Sequence, residues 1–193
     1  DLAETLARQF RLVVESHWYR ALFPTMRIAR LTAAELTTTA GGGRLTTSTG
    51  GTLTGRGADI VIIDDPMKAS DAQSETARQG VLSWYRETLV TRLNDKRNGA
   101  IITVMQRLHE DDLAGYLTEQ GEIEHLDLPA IAIEDQVIAT GRNRVHQRRA
   151  GALLHPEREP QQALDRIKAE LGSLAFSAQY QQRPVPLDGN LVR

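Results

Sequence analysis

The chain has 193 residues, of which 25% are charged, and its net charge is -2. This balance gives no overall signal for a nucleic-acid-binding or membrane-binding protein, although it is compatible with a local basic patch. Cysteine is absent, which excludes disulfides and thiolate zinc sites, and no apolar run approaches the roughly 18 residues that a membrane-spanning helix needs.

The first 48 residues predict a helix followed by three short strands. Residues 1–15 favour a helix because apolar side chains recur on one face and Asp1 can cap the first turn. An aromatic-rich connection at residues 16–24 follows. The strands are predicted at residues 27–31, 36–39 and 44–48, with a glycine turn between the last two.

The middle of the chain predicts a βαβ unit. Uniformly apolar strands at residues 59–63 and 100–105 are separated by a long amphipathic helix over residues 71–93, with Asp71 as its N-cap. Gly80 makes the helix less regular in its first turns. Apolar strands joined by a helix are typical of a parallel sheet that is covered on both faces, which indicates an α/β fold.

The region after the second apolar strand predicts a helix at residues 110–120 that ends at Gly121. A weaker strand is predicted within residues 123–133. Residues 134–152 are expected to be irregular and basic.

The end of the chain predicts two helices and a linker. Pro160 opens a helix that ends at Gly172, and a shorter helix carries Phe176 and Tyr180. The tail, RPVPLDGNLVR, is typical of an interdomain linker.

Two adjacent carboxylates, Asp64 and Asp65, stand where the first apolar strand ends. Ligands of parallel α/β sheets bind beyond the carboxyl ends of the strands. Nucleotide hydrolysis needs two carboxylate functions there, one to hold Mg²⁺ and one to orient or deprotonate the attacking water. The alternative is a polar Asp-Asp-Pro turn without chemistry.

The second apolar strand also ends in polar residues. Thr103 and Gln106 are placed to meet a γ-phosphate or its water at the same edge of the sheet. The alternative is an ordinary strand terminus.

Four segments in this order resemble the large terminase subunit of tailed phages and prophages. They are TGRGADIVIIDDP, ITVMQRLHEDDLAGYL, GALLHPER and ELGSLAFSAQYQQRPVPLDG, and the resemblance covers practically the whole chain. It implies an additional-strand, RecA-like P-loop ATPase with a three-layer fold and a mostly parallel sheet. It also implies ATP and Mg²⁺ as cofactors and translocation of double-stranded DNA into a procapsid as the function.

The resemblance also implies roles for individual residues. Asp64 looks like the Mg²⁺-associated Walker B acid, and Asp65 like the catalytic carboxylate, which is often Glu in packaging motors. Thr103 and Gln106 look like the coupling motif that relays the nucleotide state, and they would contact the bound nucleotide.

One element of the family pattern does not occur in these 193 residues. No G-x-x-x-x-G-K-S/T loop is present, and the run TSTGGTLTGRG precedes the acidic strand and lacks lysine. We therefore expect residues 1–182 to be a partial ATPase domain without its first strand and phosphate loop. Residues 183–193 would begin a linker to a nuclease domain.

The resemblance implies several partners and a location. The partners are double-stranded DNA, sibling motor subunits, the small terminase subunit and the portal protein, with no membrane involved. The location is the cytoplasm of a bacterial host cell.

Arg56, in G-R-G before the acidic strand, has two interpretations. It resembles the arginine with which packaging ATPases reach a nucleotide, which would make it catalytic. The alternative is an arginine that braces a glycine-rich loop.

Two further clusters of charged residues each have two interpretations. His109, Glu110, Asp111 and Asp112 are typical of a helix N-terminus rather than a metal site. The segment RNRVHQRR, residues 142–149, could contact DNA phosphates or form a solvated loop.

Two rival functions are left open by the sequence. Another RecA-like motor, such as a helicase or a recombination ATPase, would share the acidic strand end but not the LHPER and AQYQQRP segments. A non-catalytic interaction module is the other alternative, since the phosphate loop is missing from these residues.

Overall fold

The computed structural model describes residues 2–185, and the chain divides into two compact units, Asp1–Ala58 and Asp59–Arg193. The expected boundary between an ATPase domain and a linker after residue 182 stays a prediction. Most of that linker lies outside the described residues.

The first unit contains two helices and a three-stranded antiparallel sheet. The helices are α1 (Leu2–Glu15) and α2 (His17–Leu22), and the strands are β1 (Ile28–Leu31), β2 (Glu35–Thr38) and β3 (Gly43–Leu45), in the order β1-β2-β3. This confirms the predicted helix and three strands, whereas the predicted cap at Asp1 lies outside the described residues.

A short helix was not predicted between α1 and β1. The Oγ of Ser16 accepts a hydrogen bond from the backbone N–H of Tyr19, so Ser16 caps α2 where the sequence suggested only a connection. Phe10 of helix α1 contacts the sheet, since its ring centroid lies 4.6 Å from the guanidinium of Arg44 in β3. Arg11 of the same helix donates to the carbonyl of Thr32, just after β1.

The second unit contains the predicted parallel pair. Strands β4 (Ile60–Asp64) and β5 (Ala100–Val104) pair in parallel, in register from Ile60 opposite Ala100 to Asp64 opposite Val104. The helical crossover between them confirms a βαβ unit.

The crossover helix differs from the prediction in its bounds and continuity. The α-helix α3 runs only over Glu75–Ser83, because the Oγ of Ser74 accepts from Ala77 N and caps it there, while Asp71 belongs to a separate 3₁₀ turn. After Ser83 the chain continues as a π-helical segment, Trp84–Leu89, and a 3₁₀ turn, Val90–Arg92. A single helix over residues 71–93 is therefore wrong.

One face of the parallel pair is covered and the other is open. Ile63 packs in a core with Val81, Leu82 and Leu89 of the crossover and with residues of α4 (Leu113–Gln120). The opposite face is solvent-exposed, with exposed fractions of 61%, 67%, 46% and 54% for Ile60, Ile62, Ile102 and Val104. The expectation that helices cover both faces is wrong for residues 2–185.

Helix α4 begins and ends close to the predicted positions. Gly121 follows it in the left-handed conformation, with φ of 71°, which confirms the predicted C-terminal glycine. No regular strand forms within residues 123–133, where only an isolated bridge joins Ile131 to Leu153.

The region predicted to be irregular contains a β-hairpin. Strands β6 (Gln136–Gly141) and β7 (Arg144–Arg148) are antiparallel, and Arg142 and Asn143 between them both have positive φ. The sequence signal was missed because the usual Asn-Gly or Asp-Gly loop is replaced by Arg-Asn.

The chain then forms the two predicted helices, α5 (Gln161–Leu171) and α6 (Ser173–Gln179). Leu164 and Phe176 pack with Ala130 in a second buried cluster, to which Tyr180 adds its ring.

The molecule is thus a mixed α/β protein with small sheets, one of them a parallel pair. A three-layer P-loop arrangement is not confirmed, since the described strands form separate sheets of three, two and two strands. Within the same residues no helix is both long and apolar enough to cross a membrane.

Candidate functional site at the end of the parallel strands

Asp64 is the last residue of β4 and lies opposite Val104. Because side chains alternate along a strand, its carboxylate shares the open face with Ile60 and Ile62. It is exposed, and it accepts no hydrogen bond and forms no ion pair with any residue that the structure describes. A cation or a water molecule can therefore reach it.

Asp65 continues the strand by one residue in an uncommon backbone conformation. Its φ is 39°, in the left-handed region that Asp tolerates better than most residues. Its N–H donates to the Val104 carbonyl across 3.0 Å, and its Oδ1 accepts from the Gln106 N–H across 3.2 Å. The turn therefore aims the carboxylate at the chain that leaves β5.

Thr103 does not share a face with Asp64. It lies opposite Ile63 in the parallel register, on the covered side of the sheet, and it is half-buried. The structure thus brings Asp64, Asp65 and Gln106 together at the strand ends, but it places the Thr103 side chain on the other face.

The loop after β5 is fixed by a buried carboxylate. The Asp112 side chain is 0% exposed, and its two carboxylate oxygens accept hydrogen bonds from Nε of Arg107 at 3.0 and 3.2 Å. The same carboxylate accepts the backbone N–H groups of Leu108 and Gly115 at 2.9 and 2.8 Å. Asp112 is therefore the N-cap of α4, as the acidic cluster predicted, and it also holds the loop that starts at Gln106.

Gln182 ties the same loop to the end of α6. Its Oε1 accepts from the Arg107 N–H at 3.0 Å, and its Nε2 donates to the Gln179 carbonyl at 2.8 Å. Sequence reasoning missed Arg107 and Gln182, because the two are 75 positions apart and only the fold brings them together.

Arg56 belongs to the first unit and pairs with a carboxylate there. Its Nη1 lies 2.6 Å from Oε1 of Glu35, whose other oxygen lies 3.3 Å from Nη1 of Arg30. Gly55, just before it, has a φ of 73°. This contact supports the bracing interpretation, but a pair whose arginine side chain is 51% exposed costs little to break. The catalytic role stays a prediction.

The fit of the strand end to Mg²⁺ can be judged from its donor set. Mg²⁺ is usually held by one or two carboxylates, with phosphates and water completing the shell. Asp64 and Oδ2 of Asp65 are such donors, and both lie outside any hydrogen bond among the described residues. No group of three or more His, Cys, Asp or Glu side chains that could hold a metal ion occurs in residues 2–185, so an ion here would need ligands other than the side chains of these residues.

Members of the acidic cluster that starts at His109 form local hydrogen bonds and an ion pair. The Nδ1 of His109 accepts from the Asp111 N–H at 3.1 Å, and Asp112 is occupied by Arg107 and the helix cap. These contacts fit a helix N-terminus and leave no common ligand geometry.

Near the covered face of the sheet, burial raises the pKa of the Tyr85 hydroxyl, and the neighbouring Tyr116 raises it further. The two rings meet edge to face with centroids 6.5 Å apart. Tyr85 is therefore neutral at physiological pH and acts as part of the packing between the π-helical segment and α4.

No protein-family model and no curated protein sequence matches this chain.

Proposed function

We propose that this chain is the ATPase portion of a DNA-packaging motor of the large terminase type, in which hydrolysis of Mg-ATP is coupled to translocation of double-stranded DNA. The order of the four segments that resemble terminases supports this assignment. The parallel β4–β5 pair supports a nucleotide-hydrolysing α/β fold more generally.

The observation that carries the proposal is the pair of carboxylates at the strand ends. Asp64 ends β4 with a carboxylate open to solvent, and Asp65 turns out of the strand with φ of 39°. Non-glycine residues in sparsely populated backbone regions cluster at functional sites. A plain polar turn does not require a second carboxylate held against the neighbouring strand.

The two carboxylates divide the work in this proposal. Asp64, whose carboxylate has no hydrogen-bond partner among the described residues, would hold Mg²⁺ directly or through water. Oδ1 of Asp65 accepts a hydrogen bond from the Gln106 N–H, so Oδ2 is the atom that accepts a proton from the attacking water. When bound, Mg²⁺ neutralises charge on the phosphates.

Gln106 is the first link from the nucleotide to the rest of the motor. Its N–H contacts Asp65, and the next residue, Arg107, is held by Asp112 and Gln182. A change at the Asp65 carboxylate therefore reaches α4 and α6 through hydrogen bonds of 3.2 Å or shorter. Thr103, on the other face, would contribute through the strand rather than by direct contact with Asp64.

The partners that this function requires are sibling motor subunits, the small terminase subunit and the portal protein, in the cytoplasm of a bacterial host. They are part of the proposal because motors of this type act on DNA at a procapsid.

The experiment is ATP hydrolysis by the product of the complete reading frame. Asp65→Asn should lower turnover by about 10²- to 10⁴-fold and leave nucleotide binding intact, since a positioned proton acceptor is lost. Glu87→Gln, at an exposed carboxylate of the same unit, is the matched control and should hydrolyse ATP normally.

The outcomes separate the alternatives. Normal turnover by Asp65→Asn together with an inactive Asp64→Asn would contradict the division of roles. Normal turnover by both variants would exclude the site. No hydrolysis by the complete product, with no G-x-x-x-x-G-K-S/T loop in its reading frame, would support a non-catalytic interaction module.

A further inference from the structure

The β6–β7 hairpin presents a two-residue loop. The strands pair from Gln136 opposite Arg148 to Gly141 opposite Arg144, and the loop residues Arg142 and Asn143 have φ values of 48° and 61°. Two successive residues with positive φ match the right-handed twist of the flanking strands. The loop is therefore a tight turn that fixes the backbone from which the arginines around it project.

The hairpin is basic throughout. Residues 136–149 contain four arginines, one histidine, no lysine and no acidic residue, although the whole chain has a net charge of -2. Its outer side chains are exposed, including Val137 at 70% and Val145 at 57%. The positive charge is thus local, and it lies on an element open to a partner.

One of the four arginines holds the base of the hairpin. Arg148 is buried and donates to the carbonyls of Pro129 and Ala152 at 2.7 and 3.3 Å, and to Oε1 of Gln136 at 3.0 Å. On the same side, the N–H of Ala150 donates to Oδ1 of Asp135 at 2.8 Å. The base is therefore rigid, and Arg148 is unavailable to a partner.

The other three arginines, Arg142, Arg144 and Arg149, are exposed. Their guanidinium groups form no ion pair and no hydrogen bond with any residue of the described chain. Three like charges on one small hairpin repel one another, which disfavours the arrangement unless a negatively charged partner offsets it.

We propose that this hairpin binds the phosphate backbone of double-stranded DNA through Arg142, Arg144 and Arg149. Guanidinium groups contact phosphates through two N–H groups at once, which accounts for arginine in place of lysine. Contacts to phosphate carry no sequence information, so binding is independent of base sequence.

The composition of the hairpin disfavours other anionic partners. Binding to single strands uses aromatic side chains on which bases stack, and residues 136–149 contain no Phe, Trp or Tyr. Association with a membrane surface uses Trp, Phe or Leu beside the basic residues, and these are absent here as well. The choice of DNA over RNA rests on the proposed function, whereas the phosphate contact rests on the hairpin itself.

The test is fluorescence anisotropy of the full 193-residue chain with two labelled duplexes of unrelated sequence, between about 50 and 200 mM salt. The triple variant Arg142→Ala, Arg144→Ala, Arg149→Ala should bind both at least about tenfold more weakly. The slope of log affinity against log salt should fall by about three, close to one for each lost phosphate contact.

Two matched variants make the result specific. The triple lysine variant at the same positions keeps the charge and should retain most of the slope. Arg86→Ala, Arg97→Ala, Arg166→Ala removes the same net charge from exposed positions outside the hairpin and should bind as the parent does. Thermal unfolding checks that all the variants fold alike.

The proposal is overturned if the parent does not bind duplex DNA at the lowest salt, or if the hairpin triple binds as tightly as the parent. An equal loss of DNA affinity in the variant with alanine at Arg86, Arg97 and Arg166 also overturns it, because net charge alone would then explain the effect. Tighter binding to an RNA duplex, single-stranded DNA or anionic vesicles than to duplex DNA has the same consequence. Because no nucleotide is present, the result is separable from failure of the ATPase assignment.

Discussion

The backbone N–H of Gln106 donates to Oδ1 of Asp65 across 3.2 Å, so the residue after one parallel strand is tied to the chain leaving the next. The Asp65 N–H donates to the Val104 carbonyl in return, at 3.0 Å. This reciprocal contact makes the carboxylate part of the fold as well as a candidate catalytic group, and the two contributions can be separated by substitution.

Asp65→Asn should preserve the fold, whereas Asp65→Ala should destabilise it. Asn tolerates the left-handed conformation and keeps an oxygen for the Gln106 N–H, so its free energy of unfolding should stay within about 0.5 kcal/mol of the parent. Ala loses the acceptor and is strained at φ of 39°, which costs about 1–3 kcal/mol. Urea unfolding measures both, and equal stability of the two variants would contradict the role assigned to this contact.

Gln182→Ala should loosen the loop after β5. The change leaves the Arg107 N–H and the Gln179 carbonyl without their partners, at a cost of about 1–2 kcal/mol in urea unfolding. Hydrogen exchange at the Arg107 amide should also become faster, because this amide loses its acceptor. The control is Gln162→Ala, an exposed glutamine on α5, which should leave that amide as protected as in the parent.

Two glycines should respond in opposite directions to the same substitution. A Cβ at Gly115 would overlap the Glu110 carbonyl oxygen, so Gly115→Ala should destabilise the chain by about 1–3 kcal/mol. A Cβ at Gly80, inside α3, would meet no atom within 4 Å apart from its chain neighbours and the backbone of its own helix, so Gly80→Ala should stabilise by about 0.5–1 kcal/mol. Thermal unfolding of both variants is the measurement, and shifts of the same sign would contradict the surroundings described for one of the two glycines.

The turn after the crossover should make stability depend on pH through Asp95. Hydrogen bonds from the Asn98 side chain, and then from the Arg97 and Asn98 N–H groups, lower the pKa of Asp95 below its ordinary 3.8. The ionised carboxylate therefore stabilises the fold above that value, and the contribution is lost as the pH falls through the lower, folded-state pKa.

Asp95→Asn should therefore reduce stability at neutral pH and have progressively less effect below pH 3.8. The free energy of unfolding, measured in urea from neutral pH to strong acid, is the readout. Glu119→Gln, at an exposed carboxylate of α4 that forms no hydrogen bond or ion pair in the described chain, controls for the loss of one negative charge. A constant difference between the Asp95 variant and the parent at all pH values would show that the turn, not the charge, matters.

The parallel pair could be predicted from sequence because a continuous β-branched run such as residues 60–63 is typical of a buried strand. The open face could not be predicted, since an apolar run indicates that a strand avoids water but does not supply the element that covers it. Helix ends were predicted where glycine or proline determines the backbone, as at Gly121, and missed where a serine hydroxyl does, as at Ser74.

The candidate site, like the fold, could be predicted only in part. Asp64 and Asp65 follow from the strand end, and the N-cap at Asp112 follows from the acidic cluster. The contact of Arg107 with Gln182 could not be predicted, because the two residues come from segments whose proximity depends on how α6 packs. Nor could the opposite orientation of Thr103, since a one-residue difference in register decides which face a side chain occupies.

The open face of β4 and β5 has a consequence for how the protein behaves at high concentration. Short β-branched strands with an exposed apolar side are the segments through which separate molecules stack into aggregates. Asp59 before β4, and Asp64 and Asp65 at its end, place negative charge at both ends of the strand, where it repels the same strand of another molecule. Neutralising these aspartates would therefore lower solubility even where the isolated fold is unchanged.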